Sequence, residues 1–227
     1  MWDSTKKNIG HFCSQQVQNN TIVGLGSGST SEAFIRALGE RAIKESLDIS
    51  CIASSARSEQ LARECKLPLV EENHWEGVVS VMFDGADAVD TRGNAIKGLG
   101  GALVREKILA HASEKVVIMV DERKWRLSWK KCPLPVAIVP FGVKATLTAL
   151  SALGCKGAVR MKNCAPFATD DGLWIVDLSV EHLKYSQAIL DKKLKSIPGV
   201  VETGLFPKIA TSIVVGYADG TVERHLP

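Results

Sequence analysis

The sequence predicts an α/β protein: an open, mostly parallel sheet with helices on both faces, Rossmann-like in plan, plus a smaller inserted α+β lobe. Three observations predict it. Through the first 127 residues, apolar runs of strand length alternate with stretches of helical periodicity, the pattern of parallel strands joined by helical crossovers. A glycine-rich turn, Gly24-Leu25-Gly26-Ser27-Gly28-Ser29-Thr30, stands between the first apolar run and a long amphipathic stretch. From about residue 128 the rhythm changes to short, Pro-punctuated runs with hairpin turns. The expected division is 1–127 with 206–227 as the main domain, and 128–205 as the smaller lobe.

Ile9, Phe12, Cys13 and Val17 follow a 3.6-residue stripe, and Thr21-Ile22-Val23 reads as a buried strand. A helix over about 31–45 places Phe34, Ala37, Leu38 and Ile43 on or near one face. A strand is expected over 49–53, a helix over 58–65, strands over 78–83 and 116–120, and a helix over about 102–112 between the last two. In the lobe, Pro133, Pro135 and Pro140 punctuate a strand over 136–139, followed by a helix near 144–153. Asp170-Asp171-Gly172 reads as a hairpin turn between 167–169 and 174–178. A helix near 185–195 and strands over 200–203 and 212–216 follow, with a last hairpin at Asp219-Gly220 and the final strands returning to the main sheet.

Composition narrows the function. With 227 residues, 45% hydrophobic and 23% charged, the chain is an ordinary globular one, long enough to bury on the order of 70% of its unfolded surface. A net charge of +3 is too small for an electrostatic nucleic-acid binder. No apolar run approaches the length of a membrane span, and the first seven residues have two lysines with no apolar core behind them, unlike a secretory signal. Cys13, Cys51, Cys65, Cys132, Cys155 and Cys164 are scattered without a C-x-x-C, so reduced, buried thiols in a cytoplasmic protein are expected. The five histidines never fall within ligand spacing of one another, and no metal or other cofactor is expected.

Three segments carry chemistry. The turn at 24–30 can hold a phosphate on backbone N–H groups and a helix N-terminus, with Ser27, Ser29 and Thr30 adding hydroxyls and Gly28 a close backbone approach. It is neither a dinucleotide fingerprint nor a P-loop: the third glycine comes one position early, the second strand ends in Ala53-Ser54-Ser55 rather than an acid, and no lysine follows Gly28. A capped strand–helix turn is the plainer alternative. Next, Phe83-Asp84-Gly85-Ala86-Asp87-Ala88-Val89-Asp90 ends a hydrophobic strand in carboxylates, where an open sheet forms its ligand crevice. Asp84 and Asp87 there can bind sugar hydroxyls or share a proton, or form a solvated acidic loop. Last, Lys97-Gly98-Leu99-Gly100-Gly101-Ala102-Leu103-Val104-Arg105-Glu106-Lys107 sets a cation before three glycines and a carboxylate on the helix after them. Glu106, partly desolvated in a crevice, suits a general base; a surface salt bridge with a neighbouring basic residue is the alternative.

Together with residues 121–124, 133–141, 167–177 and 197–206, these segments resemble ribose-5-phosphate isomerase of the A type nearly end to end. The resemblance implies a cytoplasmic, metal-independent aldose–ketose isomerase of the pentose phosphate pathway, acting on a small sugar phosphate as a homodimer or homotetramer, with the 128–205 lobe as lid or assembly surface. It implies that Glu106 moves a proton between C2 and C1, that Asp84 and Asp87 handle hydroxyl protons, and that Lys97 stabilises the oxyanion. Ser27, Gly28, Ser29 and Thr30 would then grip the phosphate with Lys6 and Lys124 as helpers, and Gly98, Gly100 and Gly101 would line the substrate. Two positions depart from the family pattern: Ala88 stands where glutamate is common, and Leu99 where glycine is usual. The rival readings are a sugar-phosphate sensor without catalysis and an acyl-CoA transferase of related architecture. The few residues before Thr21 leave no room for the helix-turn-helix that such a sensor would carry.

Overall fold

The computed structural model describes residues 2–71, 74–75 and 78–227, so Met1 of the opening segment lies outside the described residues. Helix α1 (Trp2–Ser14) leads into β1 (Thr21–Leu25), α2 (Ser29–Glu45), β2 (Ile49–Ala53), α3 (Ala56–Glu64) and β3 (Val81–Gly85). Two short strands, β4 (Ala88–Val89) and β5 (Ala95–Ile96), precede α4 (Leu103–His111) and β6 (Val116–Asp121). The smaller lobe holds β7 (Leu134–Ile138), α5 (Val143–Ala152), β8 (Lys156–Val159), β9 (Met161–Lys162), β10 (Ala165–Pro166), β11 (Trp174–Ser179), α6 (Gln187–Lys195) and β12 (Val200–Thr203). β13 (Leu205–Phe206), β14 (Ser212–Gly216) and β15 (Val222–His225) close the chain.

Among the described residues the main sheet runs β15-β14-β6-β3-β1-β2. All neighbours are parallel except β15, which turns back on β14 through Gly220 (φ 94°). This is the α/β fold that the alternation predicts. Its strand order reverses at β1: β2 lies to one side, and the chain then crosses to place β3 on the other. Reversal leaves a crevice beyond the carboxyl ends of β1 and β3, the usual ligand position in open sheets. Those ends carry the glycine turn and Asp84.

Both faces of the sheet are covered. Helices α1, α2 and α3 bury Ile9, Phe34, Leu38 and Leu61 against Val23, Cys51 and Val117, with Phe34 stacked on Phe83 at 4.5 Å between centroids. α4 buries Leu103 and Leu109 on the opposite face, against Met82 and Ile118. In the lobe, an antiparallel sheet ordered β12-β7-β11-β8 packs Val136, Ile138 and Val176 under Leu150 and Leu190. The three-stranded β13-β5-β4 ribbon joins the two parts, since β5 adds Ile96 to the lobe core and Ala95 to the main one.

Several expectations shift. β3 begins at Val81, with Val79 only bridging Ser113, so the run at 78–80 enters the sheet without extending the strand. Phe12 is 36% exposed, and Val17 is buried beyond the end of α1. β7 starts before its expected position and passes through Pro135, tolerated because β12 ends at Thr203 and Gly204 N–H still reaches the Pro135 carbonyl at 2.7 Å. The thiols are all free, yet Cys164 is exposed and Cys65 and Cys132 only half-buried, so the expected burial holds for Cys13, Cys51 and Cys155. Among the described residues no helix is long and apolar enough to cross a membrane.

Candidate active site

The crevice at the β1/β3 reversal holds a cavity of about 160 Å³. One wall is the turn into α2. Gly26 must be glycine because a Cβ there would lie 2.1 Å from Asp84 Oδ1, and Gly28 because its φ is 89°. This backbone delivers the N–H groups of the first turn of α2 to the cavity, with Gly28 and Ser29 exposed and Thr30 buried. Ser27 lines the cavity too, but its donors are spent within the protein. Its N–H donates to Asp84 Oδ1 (3.0 Å) and its hydroxyl to Ser55 Oγ (2.8 Å), which passes the chain to Ser58 and the Gly26 carbonyl.

Asp84, the last residue but one of β3, is fully buried. Oδ1 accepts from the N–H groups of Ser27 and Gly85 and from Ser31 Oγ, while Oδ2 lies 2.8 Å from Lys97 Nζ. Lys97 Nζ also lies 3.1 Å from Glu106 Oε1 and donates to the Gly85 carbonyl at 2.5 Å, so the ammonium sits between two carboxylates and a carbonyl. Burial alone would lower the Lys97 pKa, but the Asp84 and Glu106 carboxylates outweigh it and keep the ammonium charged. At Glu106 burial wins over Lys97, and the pKa is pushed up to about 8. Its second oxygen, Oε2, is buried without a hydrogen-bond partner among the described residues. A buried carboxylate with one oxygen held and one unsatisfied is poised to take a proton.

Asp87 is half-buried, its Oδ2 accepting from Leu99 N–H at 3.1 Å, and Lys124 Nζ donates to the Ala86 carbonyl at 2.9 Å beside it. Gly98 and Gly100 line the cavity with these side chains. Gly101 stands behind them under the Phe167 ring, and Asp84 sits beneath the floor. Lys6 lies apart: it lines a neighbouring cavity between α1 and α2 that shares only Ser29 with this one. Ala88 packs in the lobe core, away from the cavity, and the Leu99 side chain points outward at 47% exposure, so neither departure alters the cluster's charges.

A lid was expected of the lobe, but sequence reasoning did not single out the residues through which it reaches the site. Arg160 reaches the carbonyls of Gly98 and Leu99, and the 170–172 turn contacts the main domain through Asp170 to Ala56 N–H (2.9 Å) and Asp171 to Arg105 (2.7 Å). Nothing local in the sequence ties Arg160 to a loop some sixty positions earlier.

A helix N-terminus facing a buried carboxylate–ammonium cluster across the strand ends defines a class: an α/β protein with an arrangement suited to moving protons on a small anionic molecule. Relatives narrow the class to a family. The model of ribose 5-phosphate isomerase A (phosphoriboisomerase A) matches residues 50–220. The chain is 40% identical over 217 residues to ribose-5-phosphate isomerase A 1 of Oceanobacillus iheyensis, covering 96% of each. The ribose 5-phosphate isomerase A structure of Methanocaldococcus jannaschii aligns at TM-score 0.91 and 32% identity over 98% of both chains. A D-ribose-5-phosphate isomerase in complex with phospho-erythronic acid aligns at TM-score 0.92, with the same identity and coverage. The chain belongs to the ribose 5-phosphate isomerase A family.

Proposed function

We propose that this protein interconverts D-ribose 5-phosphate and D-ribulose 5-phosphate by proton transfer through an enediolate, without a metal. The observation that carries the reading is Glu106: one carboxylate oxygen on Lys97, the other buried and unpartnered, in a cavity rimmed by an anion cradle. Glu106 takes the proton from C2 of the open-chain aldose. The C–H electron pair becomes the C1=C2 bond, and negative charge collects on O1. Lys97 turns one N–H from its present partners toward that oxygen, and Glu106 returns the proton to C1 as O2 becomes the ketone. Asp87, on the cavity lining, carries hydroxyl protons, and Asp84, beneath the floor, fixes Lys97.

Gly28, Ser29 and Thr30 hold the phosphate, with Lys124 nearby; Ser27 supports the turn, and Lys6 adds positive charge from its neighbouring cavity. Anchoring the phosphate on one loop and the reacting carbons on another converts binding into alignment. The phospho-erythronic acid on the related isomerase is a phosphorylated sugar acid, as such a site requires. The 128–205 lobe serves as the lid, through Arg160 and the 170–172 turn, and as an assembly surface bearing Phe141, which is 90% exposed. A homodimer or homotetramer in the cytoplasm is the corresponding setting, and six unpaired thiols suit a reducing compartment.

Conversion of ribose 5-phosphate in the presence of EDTA tests the reading. Turnover should persist, because Lys97 supplies the cationic electrophile. Failure to convert would overturn it, as would loss with EDTA restored by a divalent ion, which would recast Asp84 and Asp87 as ligands.

A further inference from the structure

We infer that Arg160, held by Asp177, is a positioning residue for Asp87, acting through the Gly98–Leu99 peptide. Arg160 follows β8, and its backbone is locked there: its N–H donates to the Ile175 carbonyl (2.7 Å), and its carbonyl accepts from Phe167 N–H (2.8 Å). Its guanidinium grips Asp177 on β11 with two N–H groups, Nε to Oδ2 at 2.8 Å and Nη2 to Oδ1 at 2.5 Å. The remaining edge crosses to the main domain, where Nη1 donates to the carbonyls of Gly98 (3.1 Å) and Leu99 (2.8 Å).

One of those carbonyls decides the matter. Gly98 C=O and Leu99 N–H belong to a single planar peptide unit, and that N–H donates to Asp87 Oδ2. Fixing the oxygen therefore fixes the direction of the hydrogen. Gly98, at φ 104°, is the residue where the loop can most easily turn this plane, so an external hold is needed to keep it in register. A planar five-donor fork can serve Asp177 and both carbonyls together, which a lysine cannot. At the other end of the loop Phe167 covers Gly101, where an added Cβ would meet the ring at 2.4 Å. The lobe thus sets the carboxylate's partner without touching the cavity.

The kinetic arm of the test rests on the isomerase reading, whereas the exchange arm does not. In Arg160→Gln, Leu99 amide hydrogen exchange should quicken by about tenfold or more, with the Ser27 amide on Asp84 unchanged. The value of kcat should fall by on the order of 10²-fold, with KM for ribose 5-phosphate within about twofold, because the phosphate anchor is elsewhere. Added to Asp87→Asn, Arg160→Gln should cost nothing further, since no carboxylate remains at 87 for Arg160 to position. Asp177→Asn, which leaves the cation in place, should move Leu99 exchange in the same direction and serves if Arg160→Gln does not fold. Unchanged Leu99 exchange, exchange that quickens equally at Ser27, or additive losses in the double variant would overturn the inference. A wild-type protein that fails to turn over ribose 5-phosphate would sink the isomerase reading alone and leave the exchange result to decide Arg160.

Discussion

Burying a carboxylate penalises its ionised form, and at Glu106 this outweighs the adjacent Lys97 ammonium. A base must be ionised to accept a proton, so kcat/KM should climb with pH through a limb near 8, the value to which burial pushes this group. Glu106→Gln keeps the shape and the Lys97 contact but cannot act as base. Its kcat should fall about 10²–10⁴-fold and solvent exchange of the substrate C2 hydrogen should vanish; near-normal turnover would remove the base role from Glu106. Ser29→Ala and Thr30→Ala test the phosphate end of the proposed site. An anchor shared by ground and transition states changes KM and spares kcat, so both variants should raise KM, and unchanged kinetics in both would remove these hydroxyls from the anchor.

At the scale of elements, α4 carries Glu106 and must be held in place. Lys107, the next residue on that helix, points away from the cavity to Glu202 (2.8 Å) and to the carbonyls of Thr203 and Leu205, over the Phe206 ring at 4.5 Å. Burial lowers its pKa, with Glu202 working against that shift, so the cation survives by its partners. Lys107→Met should cost about 3 kcal/mol in chemical denaturation, because two buried carbonyls and a carboxylate lose their donor; an unaltered midpoint would show that the helix needs no such tie. The sequence made the long, periodic elements legible, along with the three site segments, since a strand end followed by glycines or acids carries its meaning locally. It did not show β4, β5 or β13, two-residue strands too short for any period, nor Lys107 and Arg160, whose partners lie in distant strands. Likewise Pro135 reads as a break in sequence, and only the end of β12 explains why β7 accepts it.

Across the whole molecule, the reversal at β1 brings three sequence-distant segments into one crevice, and the resulting cluster sets how stability responds to pH. Glu106 binds its proton more tightly folded, at about 8, than in an unfolded chain near the ordinary 4.5. Between those values the native state holds the extra proton, so stability from this group is complete below about pH 4.5 and is lost as pH rises through about 8. Asp121 beside Arg123 and Glu202 on Lys107 run the other way: burial would raise both, but their cationic partners hold them low, so their contribution is lost on acidification. Glu106→Gln removes the alkaline loss while leaving the acidic one. Its Tm relative to wild type should therefore rise steadily from about pH 4.5 to 8 and level off above, the inverse of its effect on turnover. A Tm difference that stays flat over this range, measured by thermal denaturation at matched ionic strength, would mean that Glu106 is ionised in the native cluster without penalty and that its basicity comes from the substrate complex instead.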